Sequence, residues 1–245
     1  MTLRALALAL LGLSTPALPT PALADDLPPG WVRLSAIAPG IAQDIRYARA
    51  FNFTGAPVPG YEAAECLLRR EAAEALLRAE ARLNDQGYGL ILWDCYRPAR
   101  AVARFARWAE TTDGPDLSAT FFPGLARKDL IPQGYIARRS GHSLGGTVDV
   151  GLIRRGDPVL RPVAAGPCDG PLSDRAAEST LDLGTTFDCF SALSATDAAV
   201  SAGARANRQR LAQAMQAEGF RPYAAEWWHF RLDLAGAEPQ DFPVR

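Results

Sequence analysis

The sequence is poor in the residues that most often carry metal and acid–base chemistry. It has two histidines, His142 and His229, in 245 residues, and four cysteines with no two in a C-x-x-C pair. A thiolate-based zinc site normally brings its cysteines close in sequence, so this spacing argues against one. Lysine is nearly absent: Lys128 is the single example, and arginine supplies the other basic residues. The net charge is -1, and no basic run stands out, so nothing marks the chain for nucleic acid. No apolar run approaches the ~20 residues that a membrane-spanning helix needs. No internal repeat and no Gly/Ser- or Pro-rich linker divides the chain. What remains is ordinary soluble composition, 48% hydrophobic and 22% charged, in a length that suits one large domain.

The first residues read as an address. Arg4 precedes an apolar run from Ala5 to Leu13, and Ala22-Leu-Ala24 is a small-x-small cleavage site. This predicts a signal peptide over 1–24, a functional domain over 25–245, and an exported protein, periplasmic or secreted, with no membrane anchor after cleavage. In an oxidising compartment four cysteines suggest two disulfides. Of the three possible pairings, Cys66–Cys95 and Cys168–Cys189 each tie neighbouring elements and are the expected ones.

Residues 25–40 are Pro-rich and read as surface chain. Ile41–Tyr47 alternates like a strand, and 62–83 carries apolar residues at helical spacing. Gly87 then suits a helix C-cap. Tyr88–Trp93 has strand length, and Pro98 opens a helix running to about Ala109. Residues 111–124 read as loop. Thr147–Ile153 is a strand that turns Asp149 away from the side of Val148, Val150 and Leu152. Residues 154–185, rich in Gly, Pro and Asp, read as a long loop or lid. Ala204–Glu218 is a second helix capped by Gly219, and 220–234 reads as a hairpin. Helices and strands are interspersed without a βαβ repeat, which places the chain in the α+β class as one domain.

The chemistry gathers in two stretches. Ser140-Gly-His142-Ser143-Leu-Gly-Gly-Thr-Val-Asp149 holds one histidine and a carboxylate. Glu226-Trp-Trp-His229 holds the other histidine and a further acid. A hydrolytic zinc needs three protein ligands and an open position for water. His142, Asp149 and His229 can be the ligands, and Glu226 the base. Ordinary core or polar histidines fit the spacing as well. On an ideal strand Glu226 and His229 point apart, so this reading requires a turn or bulge near Ala225–Trp227. Gly141-His-Ser143-Leu-Gly145 also fits the nucleophile-elbow pattern, but a strand follows it where that pattern needs a helix. Arg97, between a strand and a Pro-started helix, could stabilise an oxyanion or be a plain surface arginine.

Taken together, these motifs resemble the D-alanyl-D-alanine dipeptidases. So do Asp44-Ile-Arg-Tyr47, Asn52-Phe-Thr-Gly55, Cys66-Leu-Leu-Arg69, Asp94-Cys-Tyr-Arg-Pro98 and Gly184-Thr-Thr-Phe-Asp188. This family of zinc peptidases is related to the D,D-carboxypeptidases and the hedgehog domain. The resemblance implies an antiparallel sheet flanked by helices and one Zn2+ per chain. It implies His142, Asp149 and His229 as ligands, Glu226 as base, Arg97 as the transition-state arginine, and Ser140 near the substrate's amino end. The implied substrate is the D-Ala-D-Ala dipeptide. Longer peptidoglycan stem peptides, a non-catalytic zinc-bound recognition module and a Ser143 hydrolase are the alternatives. Two departures stand out: Leu144 occupies a position where the family usually has arginine, and 154–185 is long.

Overall fold

The computed structural model describes residues 27–162 and 166–245; the expected signal peptide over 1–24 lies outside them. In chain order the elements are β1 (Trp31–Arg33), α1 (Leu34–Ile37), β2 (Ala42–Gln43), β3 (Leu67–Arg69), α2 (Arg70–Asn84) and β4 (Tyr88–Asp94). Then come α3 (Ala99–Glu110), α4 (Ser118–Phe121), β5 (Thr147–Arg154), α5 (Ala202–Ala217), β6 (Arg221–Tyr223) and β7 (Glu226–Arg231). β1 and β3 form a two-stranded sheet, and the main sheet has the order β2-β4-β5-β7-β6.

The α+β class stands, with a correction to the sheet. It is mixed, because β2 runs parallel to β4 while the β4–β5, β5–β7 and β6–β7 pairs are antiparallel. The strand expected over 41–47 is only two residues long, because the chain turns into a 3-10 segment at Arg46–Ala48. The helix expected over 62–83 begins at Arg70. Its first part is β3, where the adjacent Leu67 and Leu68 are both fully buried and pair with Arg33 and Val32. Residues 25–40 are not surface chain throughout: Trp31, Val32 and Leu34 are in the core. The 111–124 stretch contains the short helix α4.

α2 buries an alanine-rich stripe with Leu76 and Leu83, and it packs against β4 and α5. Small side chains allow that close approach. Gly87 follows α2 in a left-handed conformation with φ 80°, where a Cβ would be strained. Gly145 does the same between His142 and β5, and a Cβ there would lie 2.3 Å from the Trp31 ring. The bend that delivers His142 to the sheet therefore requires glycine.

Both expected disulfides are present, Cys66–Cys95 and Cys168–Cys189. The long segment after β5 is tied to the fold near its far end. Leu181 N–H donates to the Leu152 carbonyl, and Glu178 accepts from the Arg46 guanidinium at 2.7 Å. Arg46 is itself buried, bonded to Asp44 at 2.7 Å and flanked by the Phe51, Trp93 and Phe187 rings. One guanidinium thus pairs with two buried carboxylates, one two residues away and the other 132 residues away in the chain. Arg46→Met would leave Glu178 without its guanidinium partner and Asp44 with only the longer contact to Arg161 at 3.8 Å. It is expected to cost about 3–5 kcal/mol and to lower the midpoint of thermal unfolding by roughly 10 °C. Circular dichroism melts check this, and an unchanged midpoint would remove the network from the account of stability.

Candidate metal centre

Strand register brings the site together. A bulge between Leu92 and Asp94 sets Asp94 opposite Asp149, and Asp149 pairs in turn with His229. Asp94, Asp149 and His229 therefore form a row across β4, β5 and β7, with cross-strand neighbours within side-chain reach. His142 arrives from outside the sheet, on a 3-10 turn over Gly141–Leu144 whose N-cap is Ser140. The Ser140 hydroxyl accepts the His142 backbone N–H at 3.3 Å.

The hairpin resolves the question of Glu226. β6 and β7 meet through a two-residue turn at Ala224-Ala225. Tyr223 pairs with Glu226, but Pro222 already pairs with Phe230. Trp227, Trp228 and His229 are passed over in this pairing. That irregularity turns Glu226 and His229 toward each other, with 3.6 Å between Glu226 Oε2 and His229 Nδ1. Trp227 and Trp228 are both buried, and Trp228 also forms part of the cavity wall.

Three donor atoms converge. His142 Nε2 lies 3.3 Å from both Asp149 Oδ1 and His229 Nδ1, and His229 Nδ1 lies 3.0 Å from Asp149 Oδ1. In a tetrahedral zinc site with bonds of about 2.0–2.1 Å, neighbouring ligand atoms stand about 3.3 Å apart. The two imidazoles and one carboxylate match that donor set in kind and in spacing, and they are the metal-capable cluster found among the described residues. Behind them, His142 Nδ1–H donates to the Cys95 carbonyl at 2.7 Å. A carbonyl can only accept, so Nδ1 carries the proton and Nε2 presents its lone pair to the cluster.

Burial and neighbouring charge set the ionisation. Burial alone would raise Asp149, but His142 and then His229 hold it well below the usual carboxylate range. Burial would lower His229, yet the Asp149 hydrogen bond and charge raise it above the ordinary imidazole value. Burial pushes Glu226 up to about 7, against the opposing pull of His229. A divalent cation adds its own charge and draws Asp149 lower still.

The cluster opens on a cavity of about 270 Å³ lined by Arg97, Ser140, Asp188, Glu226, His229 and the Tyr135 and Phe190 rings, among others. The Arg97 side chain keeps 14% exposure and pairs with Asp94 at 2.8 Å and Asp149 at 3.5 Å. The Phe105 and Tyr47 rings flank it. Asp188 ends the Gly184–Asp188 motif. It is buried at a left-handed φ of 58° and accepts from the Tyr47 hydroxyl at 2.8 Å. Burial first, then the Asp149 charge, raise it well above the usual carboxylate range.

Two expectations are corrected. Ser143 does not face the cavity. Its buried hydroxyl donates to the Arg97 carbonyl at 2.8 Å, so it braces that corner and is no nucleophile. No described residue of 154–185 lines the cavity, and neither does Leu144, so the two departures from the family pattern lie away from it.

A family profile described as D-ala-D-ala dipeptidase, Peptidase M15, matches residues 29–179 and 164–244. Relatives named D-alanyl-D-alanine dipeptidase occur in Streptomyces coelicolor and Enterococcus faecium. The first is 36% identical over 211 residues, 84% of this chain and 93% of the relative. The second is 36% identical over 222 residues, 88% and 98% of the two chains. A more distant one from Escherichia coli is 28% identical over 209 residues, 85% and 87% of the two chains.

A cation among these donors competes with their protons. Titration of chelator-treated protein with zinc is therefore expected to show one tight site with proton release. His142→Ala or His229→Ala should abolish tight binding. Calorimetry in two buffers of different ionisation heat measures both, and undiminished binding in either variant would refute the cluster as the site.

Proposed function

The chain belongs to the Peptidase M15 family of D-Ala-D-Ala dipeptidases, and from that premise we propose how its cavity works. It is a metallopeptidase that hydrolyses D-Ala-D-Ala to two D-alanines. The observation that carries the residue roles is the convergence of His142 Nε2, Asp149 Oδ1 and His229 Nδ1 beside the Glu226 carboxylate. His142, Asp149 and His229 would hold one zinc ion. When bound, such an ion lowers the pKa of a water to about 7 and polarises a carbonyl.

The protein's own groups do the rest. Glu226 takes a proton from the attacking water and returns it to the nitrogen of the departing D-alanine, so the water's elements divide between the two products. Burial raises its pKa, and the charge of a bound cation would draw it back toward the carboxylate range, where it is ionised and able to accept the proton. Arg97, fixed by Asp94 and by two rings, turns its remaining donors toward charge that develops on the carbonyl oxygen. Asp188 offers a buried carboxylate short of a cation, which the substrate's ammonium supplies. The Ser140 hydroxyl oxygen, which already accepts from His142 N–H, has a second lone pair to accept from that ammonium.

The cavity volume favours the dipeptide over longer stem peptides, since about 270 Å³ falls below the roughly 300–1,000 Å³ of pockets that take drug-sized ligands. A recognition module without turnover would not need Glu226. We read 25–245 as the mature domain, with the arrangement shared by D,D-carboxypeptidases and hedgehog domains. We also read it as exported to the periplasm or beyond, for cell-wall turnover or D-alanine recycling. Two disulfides support that compartment, and among the described residues no helix is long and apolar enough to cross a membrane.

Purified protein is expected to hydrolyse D-Ala-D-Ala, to lose that activity to a chelator and to regain it with zinc. Glu226→Gln should lower kcat by about 10²–10⁴, and Arg97→Ala by about 10²–10³. Ser143→Ala should keep most of it. Full activity in Glu226→Gln would sink the mechanism. Cleavage of stem peptides in preference to the dipeptide would reassign the substrate and leave the chemistry.

A further inference from the structure

We propose that the Cys66–Cys95 disulfide is a positioning device for His142, so that metal affinity depends on an intact bridge. This rests on the metal reading above. The carbonyl that fixes the His142 tautomer belongs to Cys95. Cys95 stands one residue past the end of β4, beyond the bulge between Leu92 and Asp94. The sheet ladder therefore does not hold it.

What does hold it comes from the other side of the bridge. Cys66 is fully buried and Cys95 is 1% exposed. The Cys66 carbonyl accepts Leu34 N–H at 2.9 Å, and its own N–H donates to Gln43 Oε1 at 2.7 Å. Cys66 is thus anchored to the N-terminal layer. Besides the sulfur bridge, the backbone tie between the two segments is Tyr96 N–H to the Leu67 carbonyl at 3.0 Å. The corner from Cys95 to Arg97 in turn grips the histidine turn. Arg97 N–H donates to the His142 carbonyl, and the Ser143 hydroxyl donates to the Arg97 carbonyl. Cutting the bridge removes the covalent tie at Cys95 itself and leaves its carbonyl placed by bonds further along the corner, from Tyr96 N–H to the Leu67 carbonyl, from the Tyr96 hydroxyl to the Phe242 carbonyl and from Arg97 to Asp94.

A bridge that only stabilises would act differently. Closing 29 residues of chain restricts the unfolded ensemble. Its loss would lower the unfolding midpoint and leave the folded protein's zinc affinity alone. A bridge that orients a ligand acts through the outer shell, where loss of an orienting partner typically weakens metal binding about 10–100-fold. Cys168–Cys189 provides the internal comparison, because neither cysteine touches His142, Asp149 or His229.

The test is the zinc Kd of Cys66→Ala/Cys95→Ala, read by competition with a chromophoric chelator on protein shown by circular dichroism to be folded. We expect zinc binding about 10–100-fold weaker than wild type, with Cys168→Ala/Cys189→Ala keeping the wild-type Kd. An unchanged Kd in the first pair, or equal weakening in both pairs, overturns the proposal. Should the first pair fail to fold, the oxidised wild-type protein is reduced natively with a phosphine. The same treatment is given to Cys168→Ala/Cys189→Ala, whose one remaining bridge is Cys66–Cys95. Its thiols are capped with a methylating reagent, since free thiolates would bind zinc themselves, and a Kd unchanged from that variant's untreated form overturns the proposal. Failure of the untreated wild type to bind zinc would instead overturn the metal reading.

Discussion

The buried carboxylate of Asp149 is the constraint on which the site depends. Taking such a group out of water costs several kcal/mol unless partners replace the lost solvation. At 2% exposure it is met by His229 at 3.0 Å, His142 at 3.3 Å and Arg97 at 3.5 Å. Each partner comes from a different part of the chain: a strand across the sheet, a glycine-hinged turn, and the corner after β4. Satisfying one carboxylate therefore fixes the relative placement of three segments. The surroundings are also unbalanced. Fully ionised, Asp94, Asp149, Asp188 and Glu226 lie around the guanidinium of Arg97, with Arg139 and Arg231 elsewhere on the cavity wall. A divalent cation and one ammonium would offset the excess of acid around Arg97, and those are the two charges the proposed chemistry brings.

Much of this was legible in the sequence, and for a physical reason. With two histidines in the chain, a metal site built on imidazole had no other members to choose. The alternation in Thr147–Ile153 placed Asp149 on a definite face. The conflict between Glu226 and His229 on an ideal strand required an irregularity near Ala225–Trp227, and the slipped β6–β7 pairing supplies it. Both disulfides joined the cysteines that sequence order suggested.

What was missed depends on pairings that no local pattern encodes. β1 and β3 are three residues each, and each is defined by the other across more than thirty positions. Leu67 and Leu68 fit a helical stripe as well as a doubly buried strand, and only their partner decides. Gly, Pro and Asp in 154–185 correctly signalled the lack of long regular elements. They carried no information on where the segment is tethered, which Arg46 and Glu178 settle from 132 residues apart. The burial of Asp188 beside Tyr47 is a long-range fact of the same kind.

The scarcity of histidine has one more consequence. Every imidazole in the molecule belongs to the cluster, one held by a backbone carbonyl and the other by a carboxylate. In a nuclear magnetic resonance spectrum the imidazole region would thus contain the site and nothing else. The Nδ1 proton of His142, buried against Cys95, would give a lone slowly exchanging signal. The protein carries its own spectroscopic label, and its occupancy can be followed without introducing another.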